Sequence, residues 1–279
     1  MSRKQKRQPS LKPVIDVVIT TGGRFDMLSK CLDALEREAQ TVPMGVYIID
    51  NASPAEERIA NESLFFPRTI FNEFRSKRLT QNPGFASSNN EGARMGSAPL
   101  IMFLNDDVEL HEGAIQKVVD TFQEESIGVV GIKLIFSPYR NHPGYPQGKV
   151  QHVGMAFNIR GEPIHPLSGW SIDNPKAKIS REVVCVTGAC LTIRRNLFSR
   201  TGGFGLEYGL GTYEDVDLCF KSRQLGQRVW VNCDATGYHY TNATVEKNRT
   251  GFPLGQNRMI FQTKWGNSGL IAWTEADFW

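Results

Sequence analysis

The chain has 279 residues and a net charge of +3, with 40% hydrophobic and 22% charged residues. That composition supports a substantial core and excludes wholesale disorder; the length accommodates one large domain or two small ones. No apolar run approaches the roughly 20 residues that cross a bilayer.

The first residues, "MSRKQKRQPSLKP", carry Arg3, Lys4, Lys6, Arg7 and Lys12 without an acid, so the high pI belongs to the tail and the body is near neutral. Residues 1–13 read as a disordered basic tail, with anionic lipid as its sharper option. They lack the apolar stretch of a secretory signal. The expected location is therefore the cytoplasm, with peripheral contact at the cytoplasmic face of a membrane. The sequons at Asn51, Asn61, Asn242 and Asn248 then carry no glycosylation. Five cysteines (Cys31, Cys185, Cys190, Cys219 and Cys233) form no C-x-x-C pair, which predicts reduced core residues.

Val14–Thr20, "VIDVVIT", reads as a buried strand. A Thr21–Arg24 turn follows, and Leu28, Cys31, Leu32 and Leu35 recur at helical spacing. Val46–Ile49 is a second strand, ending in the polar turn Asp50–Pro54. The pattern from Thr69 to Thr80 is ambiguous. Asn82-Pro83-Gly84-Phe85 is a turn before a helix from Ala86 to Met95. The run Leu100–Leu104 is a strand that stops at Asn105-Asp106-Asp107. Ala114, Val118, Val119 and Phe122 predict a helix, and Ile127–Ile135 another strand. Alternating strands and helices imply an open α/β sheet. After Phe136 the chain becomes turn-rich. Val150–Trp170 reads as short strands and loops, Glu182–Thr192 as a strand containing Gly188, Glu214–Leu225 as a helix, and Arg228–Val231 as a closing strand. The expected organisation is one domain over 14–266, with halves at 14–135 and 136–250, followed by a tail over 267–279.

Two adjacent carboxylates at a buried strand end repel each other and resist burial. In open parallel sheets, ligands bind beyond the carboxyl ends of the strands. If the strands are parallel neighbours, Thr20-Thr21, Asp50-Asn51 and Asn105–Asp107 line one crevice. Asp107 and its neighbours can hold a hard divalent cation, which removes the repulsion and binds substrate phosphates. The alternative is that Asp106 or Asp107 caps a following helix near Glu109–Glu112. In "GTYEDVDLCFKSRQLG", Glu214, Asp215 and Asp217 crowd a helix start, where the macrodipole favours acids. A carboxylate so placed can also act as a general base. His239, at a strand end, gains meaning only if it converges on Asp107.

In order and spacing these pieces resemble a family 2 glycosyltransferase with the GT-A fold, over about Val14 to Gly266. The resemblance rests on "VVITTGGRFDMLSKCLDAL", "VYIIDNAS", "NPGFASSNNEGARMGSAPLIMFLNDD", "VTGACLTIRRNLFSRTGGF", "YEDVDLCFKSRQLGQRVWV" and "HYTNAT". It implies a Rossmann-like, open, mostly parallel sheet flanked by helices, with a smaller irregular acceptor-side half. It also implies inverting transfer from a nucleotide-diphospho-sugar (UDP before dTDP), helped by Mn²⁺ or Mg²⁺, to a hydroxyl of a glycan or lipid-linked acceptor. By position, Thr20, Thr21 and Arg24 would lie along the nucleotide, and Asp50 would bind the base or ribose. Asn82, Gly84, Phe85, Asn89 and Asn90 would shape the nucleotide and sugar pocket. Asn105-Asp106-Asp107 stands where the family has D-x-D, with Asp107 as metal ligand and His239 completing the metal and diphosphate site. Asp215 matches the catalytic base, with Glu214 beside it. Gly188 and Ala189 fall in the acceptor-side block.

The stretch Val150–Trp170 resembles one found in members that make bacterial surface polysaccharides, a rhamnosyltransferase-like branch. His165 and Trp170 are acceptor contacts there, with core packing the alternative for Trp170. Arg258 and Lys264, on a closing helix over Asn257–Gly266, reach the diphosphate or are solvated helix charges. Two other readings stay open: a sugar nucleotidyltransferase, for which the basic loop after the first strand is thin, and an inactive glycan- or nucleotide-binding module. Nucleic acid is not an expected partner, since no fold motif accompanies the basic tail.

Overall fold

The computed structural model describes residues 12–56, 68–139, 145–240 and 252–272. Most of the basic tail, the sequons at Asn61, Asn242 and Asn248, and the end of the C-terminal tail lie outside them. Among the described residues there are twelve strands: β1 (Ile15–Thr21), β2 (Met44–Asp50), β3 (Glu73–Arg78), β4 (Leu100–Asn105), β5 (Val108–Leu110), β6 (Ile127–Phe136), β7 (Val150–His152), β8 (Ala156–Phe157), β9 (Pro163–Ile164), β10 (Arg181–Glu182), β11 (Cys190–Arg194) and β12 (Arg228–His239). Six described α-helices accompany them: α1 (Phe25–Glu38), α2 (Phe85–Met95), α3 (Ala114–Thr121), α4 (Arg195–Thr201), α5 (Glu214–Gln224) and α6 (Leu254–Trp265).

The main sheet runs β10-β12-β6-β11-β4-β1-β2-β3, with β5 on β12 and β7 on β6. The pairs β4-β1, β1-β2, β2-β3 and β12-β6 are parallel. The strand β11 enters antiparallel between β4 and β6. Thus β1, β2 and β4 are parallel neighbours, as the crevice argument required. Their register sets Thr21 opposite Asp50 and Thr20 opposite Asn105.

Both faces of the central strands are covered, so β4 reads as a nearly continuous apolar run and β1 as one interrupted by Asp16. The period-2 alternation of strands splits them between two cores. Ile15, Val17, Ile19, Leu100, Met102 and Leu104 pack with α1 and α3, while Val18, Ile101 and Phe103 face the layer that contains α5 and α6. Each fully buried Leu, Ile or Phe contributes about 2 kcal/mol. A Cβ on Gly92 of α2 would stand 2.3 Å from Val18 Cγ1, so α2 approaches the sheet closely only with glycine there. All five cysteines are free and buried, as expected for core residues. Among the described residues, no helix is long and apolar enough to cross a membrane.

Three sequence expectations are corrected. No helix follows Asp107 directly: β5 begins at Val108 and α3 only at Ala114. The carboxylate that caps α3 is Glu38, which accepts from Gly113 N (2.6 Å) and Ile115 N (2.7 Å). Glu182–Thr192 is not one strand, because β10 ends at Glu182 and β11 starts at Cys190, leaving Gly188 in a loop. The closing strand does not stop at Val231. Asn232 Oδ1 accepts from Asp234 N and Ala235 N, a local turn that forms a bulge against β6, and pairing resumes through His239.

Candidate functional site

The loop after β4 holds the acidic pair. Asp106 and Asp107 are both buried. The Arg24 guanidinium, at the start of α1, lies against both: Nη2 pairs with Asp106, and Nη1 is 3.5 Å from Asp107 Oδ2. The second oxygen of Asp107 is 3.2 Å from His239 Nε2. His239 arrives there by register, since β12 sets it opposite Val108, and Tyr240 N donates to Asp107 O. His239 Nδ1 meets Gln151 Oε1 at 2.9 Å. Burial raises both carboxyls. For Asp107, His239 and Arg24 outweigh burial and bring it below the usual range, whereas Asp106 stays raised. The repulsion is therefore offset within the chain by Arg24 and His239.

Thr21 Oγ1 accepts from Gly23 N (3.2 Å), and its hydroxyl helps to hold Asp106. Thr20 Oγ1 is buried without a partner among the described residues. Asp50 sits at the end of β2 as expected, but its oxygens are occupied. Oδ1 accepts from Ser53 N and Ser53 Oγ, and Oδ2 from Arg78 Nη1 at 2.5 Å. Arg78 lies in the stretch that the sequence left ambiguous. Asn82 Oδ1 accepts from Gly84 N and Asn51 Nδ2, tying the loop after β2 to the start of α2. Asn89 is buried and donates to Phe85 O in its own helix. Asn90 likewise brackets the backbone of Phe204.

Asp215, at the start of α5, is joined to the acidic loop through two residues. Gly188 N donates to Asp215 Oδ2 (2.7 Å), and Asn105 N donates to Ala189 O (2.9 Å). A Cβ on Gly188 would stand 3.2 Å from both the Phe85 ring and Asp215 Cβ. Asp215 Oδ1 accepts from Val216 N. Burial raises the Asp215 carboxyl, and the two backbone donors pull it back only in part. Its neighbour Glu214 is buried and pushed up to about 8, by burial first and then by Asp215. Asp217 belongs to the scaffold, with Lys221, Lys264 and Trp265 Nε1 on its carboxylate.

The Glu214 shift has a stability consequence. An unfolded glutamate titrates at an ordinary value near 4.3, so the folded state holds more protons between about pH 4.5 and 8. Stability is lost as pH rises through that window. Glu214→Gln keeps the shape and removes the titration. Its melting temperature should rise relative to wild type between about pH 5 and pH 8, by several degrees. A pH-independent difference in calorimetric scans would contradict the buried acid.

On the acceptor side, His165 Nδ1 meets His152 Nδ1 at 2.9 Å, and Gly154 N donates to His152 Nε2. That network assigns the His152 proton to Nδ1 and the His165 proton to Nε2. Burial first, then His239, brings His165 down to about 4, so the pair is neutral near pH 7. His152 escaped the sequence reading; its only signal was its place beside Gln151 in β7. Trp170 is 41% exposed, which rules out core packing. Arg258 pairs with Glu162, and Lys264 with Asp217 (2.8 Å) and Glu207 (3.0 Å); both side chains stay partly exposed.

Asp107 and His239 offer one carboxylate oxygen and one imidazole nitrogen at a common point. This donor pair suits a divalent cation that takes its remaining ligands from phosphate and water. Among the described residues, no group of three or more His, Cys, Asp or Glu is arranged as a closed cage.

Residues 16–202 match the profile of the family described as "Glycosyl transferase family 2". The chain is similar to the O-antigen biosynthesis protein RfbC of Myxococcus xanthus, 27% identical over 244 residues, which is 83% of this chain and 18% of RfbC. It thus spans under a fifth of that relative's length. Among solved structures, GalNAc-T7 with UDP, GalNAc and Mn²⁺ superposes with a TM-score of 0.63 at 14% identity, over 82% of this chain and 44% of that one. The mannosyltransferase PcManGT of Pyrobaculum calidifontis, in complex with GDP-Man and Mn²⁺, gives 0.59 at 14% identity, over 98% and 77%. At such identities the likeness is one of fold.

Proposed function

Because the chain belongs to glycosyl transferase family 2, we propose that it is an inverting transferase that moves a sugar from a nucleotide-diphospho-sugar to a hydroxyl of a glycan or lipid-linked acceptor. The fold is GT-A and the chain is a glycosyltransferase; the donor, the stereochemistry and the acceptor are the proposal. One observation carries it: the loop Gly188–Ala189 ties the carboxylate of Asp215 to the acidic loop at Asn105, so a base and an anion-handling site share one end of the sheet.

In this reading the nucleoside lies along Thr20, Thr21 and the Asp50–Arg78 pair. The sugar sits against Gly84 and Phe85. Asp107 and His239 would hold Mn²⁺ or Mg²⁺, which would supply Lewis-acid neutralisation of the leaving diphosphate. Asp106 and Arg24 keep the loop compact. The acceptor hydroxyl approaches past Gly188 and Ala189. Asp215 removes its proton as it attacks the anomeric carbon from the face opposite the diphosphate. His165, with its proton on Nε2, and the exposed ring of Trp170 are acceptor contacts, since aromatic rings suit sugar faces. The similarity to an O-antigen biosynthesis protein supports a surface glycan as acceptor. The neighbours' complexes with UDP, GDP-Man and Mn²⁺ support a metal-assisted nucleotide-sugar donor. UDP is preferred over dTDP as the commoner carrier. Peripheral membrane contact through the basic tail fits a lipid-linked acceptor.

Calorimetric titration of UDP, dTDP and GDP, each with Mn²⁺ and with EDTA, tests the reading. One nucleotide should bind with Mn²⁺ and lose most of its affinity in EDTA. Turnover should then release nucleoside diphosphate. Release of pyrophosphate would indicate a nucleotidyltransferase, and folded protein that binds no nucleotide would indicate an inactive module.

A further inference from the structure

The approach to α5 is strained. Gly211, Thr212 and Tyr213 have consecutive positive φ angles of 144°, 83° and 70°, and two of them are not glycine. A β-branched residue at such an angle is an outlier that persists only when its surroundings force it. The next two residues are Glu214 and Asp215. A side chain on α6, beyond the span that the family profile matches, grips the segment. Asn257 is 1% exposed. Its Nδ2 lies 2.9 Å from Tyr208 O, 2.7 Å from Gly211 O, 3.1 Å from Thr212 O and 3.0 Å from Thr212 Oγ1.

The clamped segment also touches the donor side. Phe85 N donates to Leu210 O, and a Cβ on Gly84 would stand 2.0 Å from Gly209 O. Two turns on, the same helix grips α5 itself, through Lys264 and Trp265 Nε1 on Asp217. Three backbone carbonyls and the Thr212 hydroxyl thus share the two hydrogens of one amide nitrogen. An aspartate there would set a negative charge against them and near Glu214.

We propose that Asn257 is a positioning residue for Asp215: by clamping the carbonyls of Tyr208, Gly211 and Thr212 it holds the strained segment that presents the Asp215 carboxylate to Gly188 N–H. The inference rests on Asp215 as the base. Asn257 touches no reacting atom and acts through the backbone. Without the clamp the segment relaxes toward negative φ, and the Gly188–Asp215 hydrogen bond is lost or lengthened.

The test compares wild type, Asn257→Ala, Asn257→Gln, Asp215→Asn and the Asn257→Ala/Asp215→Asn double variant. Turnover is read as nucleoside diphosphate released from UDP-glucose, UDP-galactose, UDP-N-acetylglucosamine and dTDP-rhamnose, using whichever the wild type turns over. Asn257→Ala should lose roughly 10- to 100-fold in kcat, reaching only the lower end of the range for a general base, while UDP affinity with Mn²⁺ stays within about twofold. The acid limb of its rate profile should move to higher pH, because Gly188 N–H no longer favours ionised Asp215. On the Asp215→Asn background, Asn257→Ala should cost nothing further. Amide exchange over 209–216 should quicken while β1 and β4 stay protected. Asn257→Gln, which keeps the amide but displaces it, is read the same way and stands in if the alanine variant does not fold. Wild-type kcat and an unmoved acid limb in either folded variant overturn the proposal. If Asp215→Asn retains turnover, the base assignment fails instead, and faster amide exchange alone then marks Asn257 as a purely structural clamp.

Discussion

Asp215→Asn should reduce transfer by roughly 10³-fold, the middle of the range for a general base, and leave nucleotide affinity with Mn²⁺ within about twofold. The carboxylate is held by Gly188 N and Val216 N, not by any residue of the Asn105–Asp107 loop, so the substitution leaves that loop's contacts in place. An amide carries one acceptor oxygen where two backbone donors now point, which loosens the helix start. Measured by nucleoside diphosphate release alongside calorimetry, the expected pattern is a collapse in kcat with an intact Kd. The wild-type rate should fall as pH drops through the Asp215 pKa, because the base works only when ionised. That acid limb should lie above the usual aspartate range, since burial raises this carboxyl. Glu214→Gln is the contrasting variant: if it abolishes turnover while Asp215→Asn does not, the two acids exchange roles.

The parallel core was readable because its strands are buried on both faces. "LIMFLN" opens with an uninterrupted apolar run, "VIDVVIT" is broken only by Asp16 before its terminal threonine, and α1 shows its 3.6-residue stripe. The elements that escaped have physical reasons. The strand β3, "EFRSKR", is an exposed, charged edge whose pairing the pattern does not encode. With it went Arg78, the partner of Asp50. The second half of β12 was hidden by the polar bulge at Asn232–Asp234, although it is this half that carries His239 to Asp107. The loop at Gly188 looked like strand because Val183–Val186 is apolar. Those residues are indeed buried, but as loop packing in the second core. The candidate acids themselves were named from the sequence. Their partners were not: Arg24 was assigned to the nucleotide and not to the acidic pair, and Gln151, His152 and Asn257 reach their positions only through long-range packing. A turn held at positive φ by an amide 45 residues away leaves no local signature.

Asp107→Ala should abolish the Mn²⁺-dependent part of nucleotide binding. In wild type, Asp107 is the carboxylate of the pair held ionised, by His239 and Arg24 together, and a cation ligand must be ionised to bind. Its removal leaves His239 as a single nitrogen donor. Asp106 is not a substitute: it is raised by burial and already engaged by Arg24. The variant should fold, because Arg24 keeps Asp106 as a partner and the backbone contact from Tyr240 N to the residue 107 carbonyl does not depend on the side chain. Calorimetric titration of the nucleotide with Mn²⁺ and with EDTA should give nearly the same weak affinity. In wild type the two conditions should differ by at least roughly tenfold, about 1.4 kcal/mol. If Asp107→Ala retains the full Mn²⁺ effect, the cation is held elsewhere, and the acidic pair with Arg24 is then a structural ion triad at the end of β4. If both proteins lack any metal effect yet bind nucleotide, Arg24 supplies the positive charge that faces the diphosphate, and Arg24→Gln becomes the variant that should abolish binding.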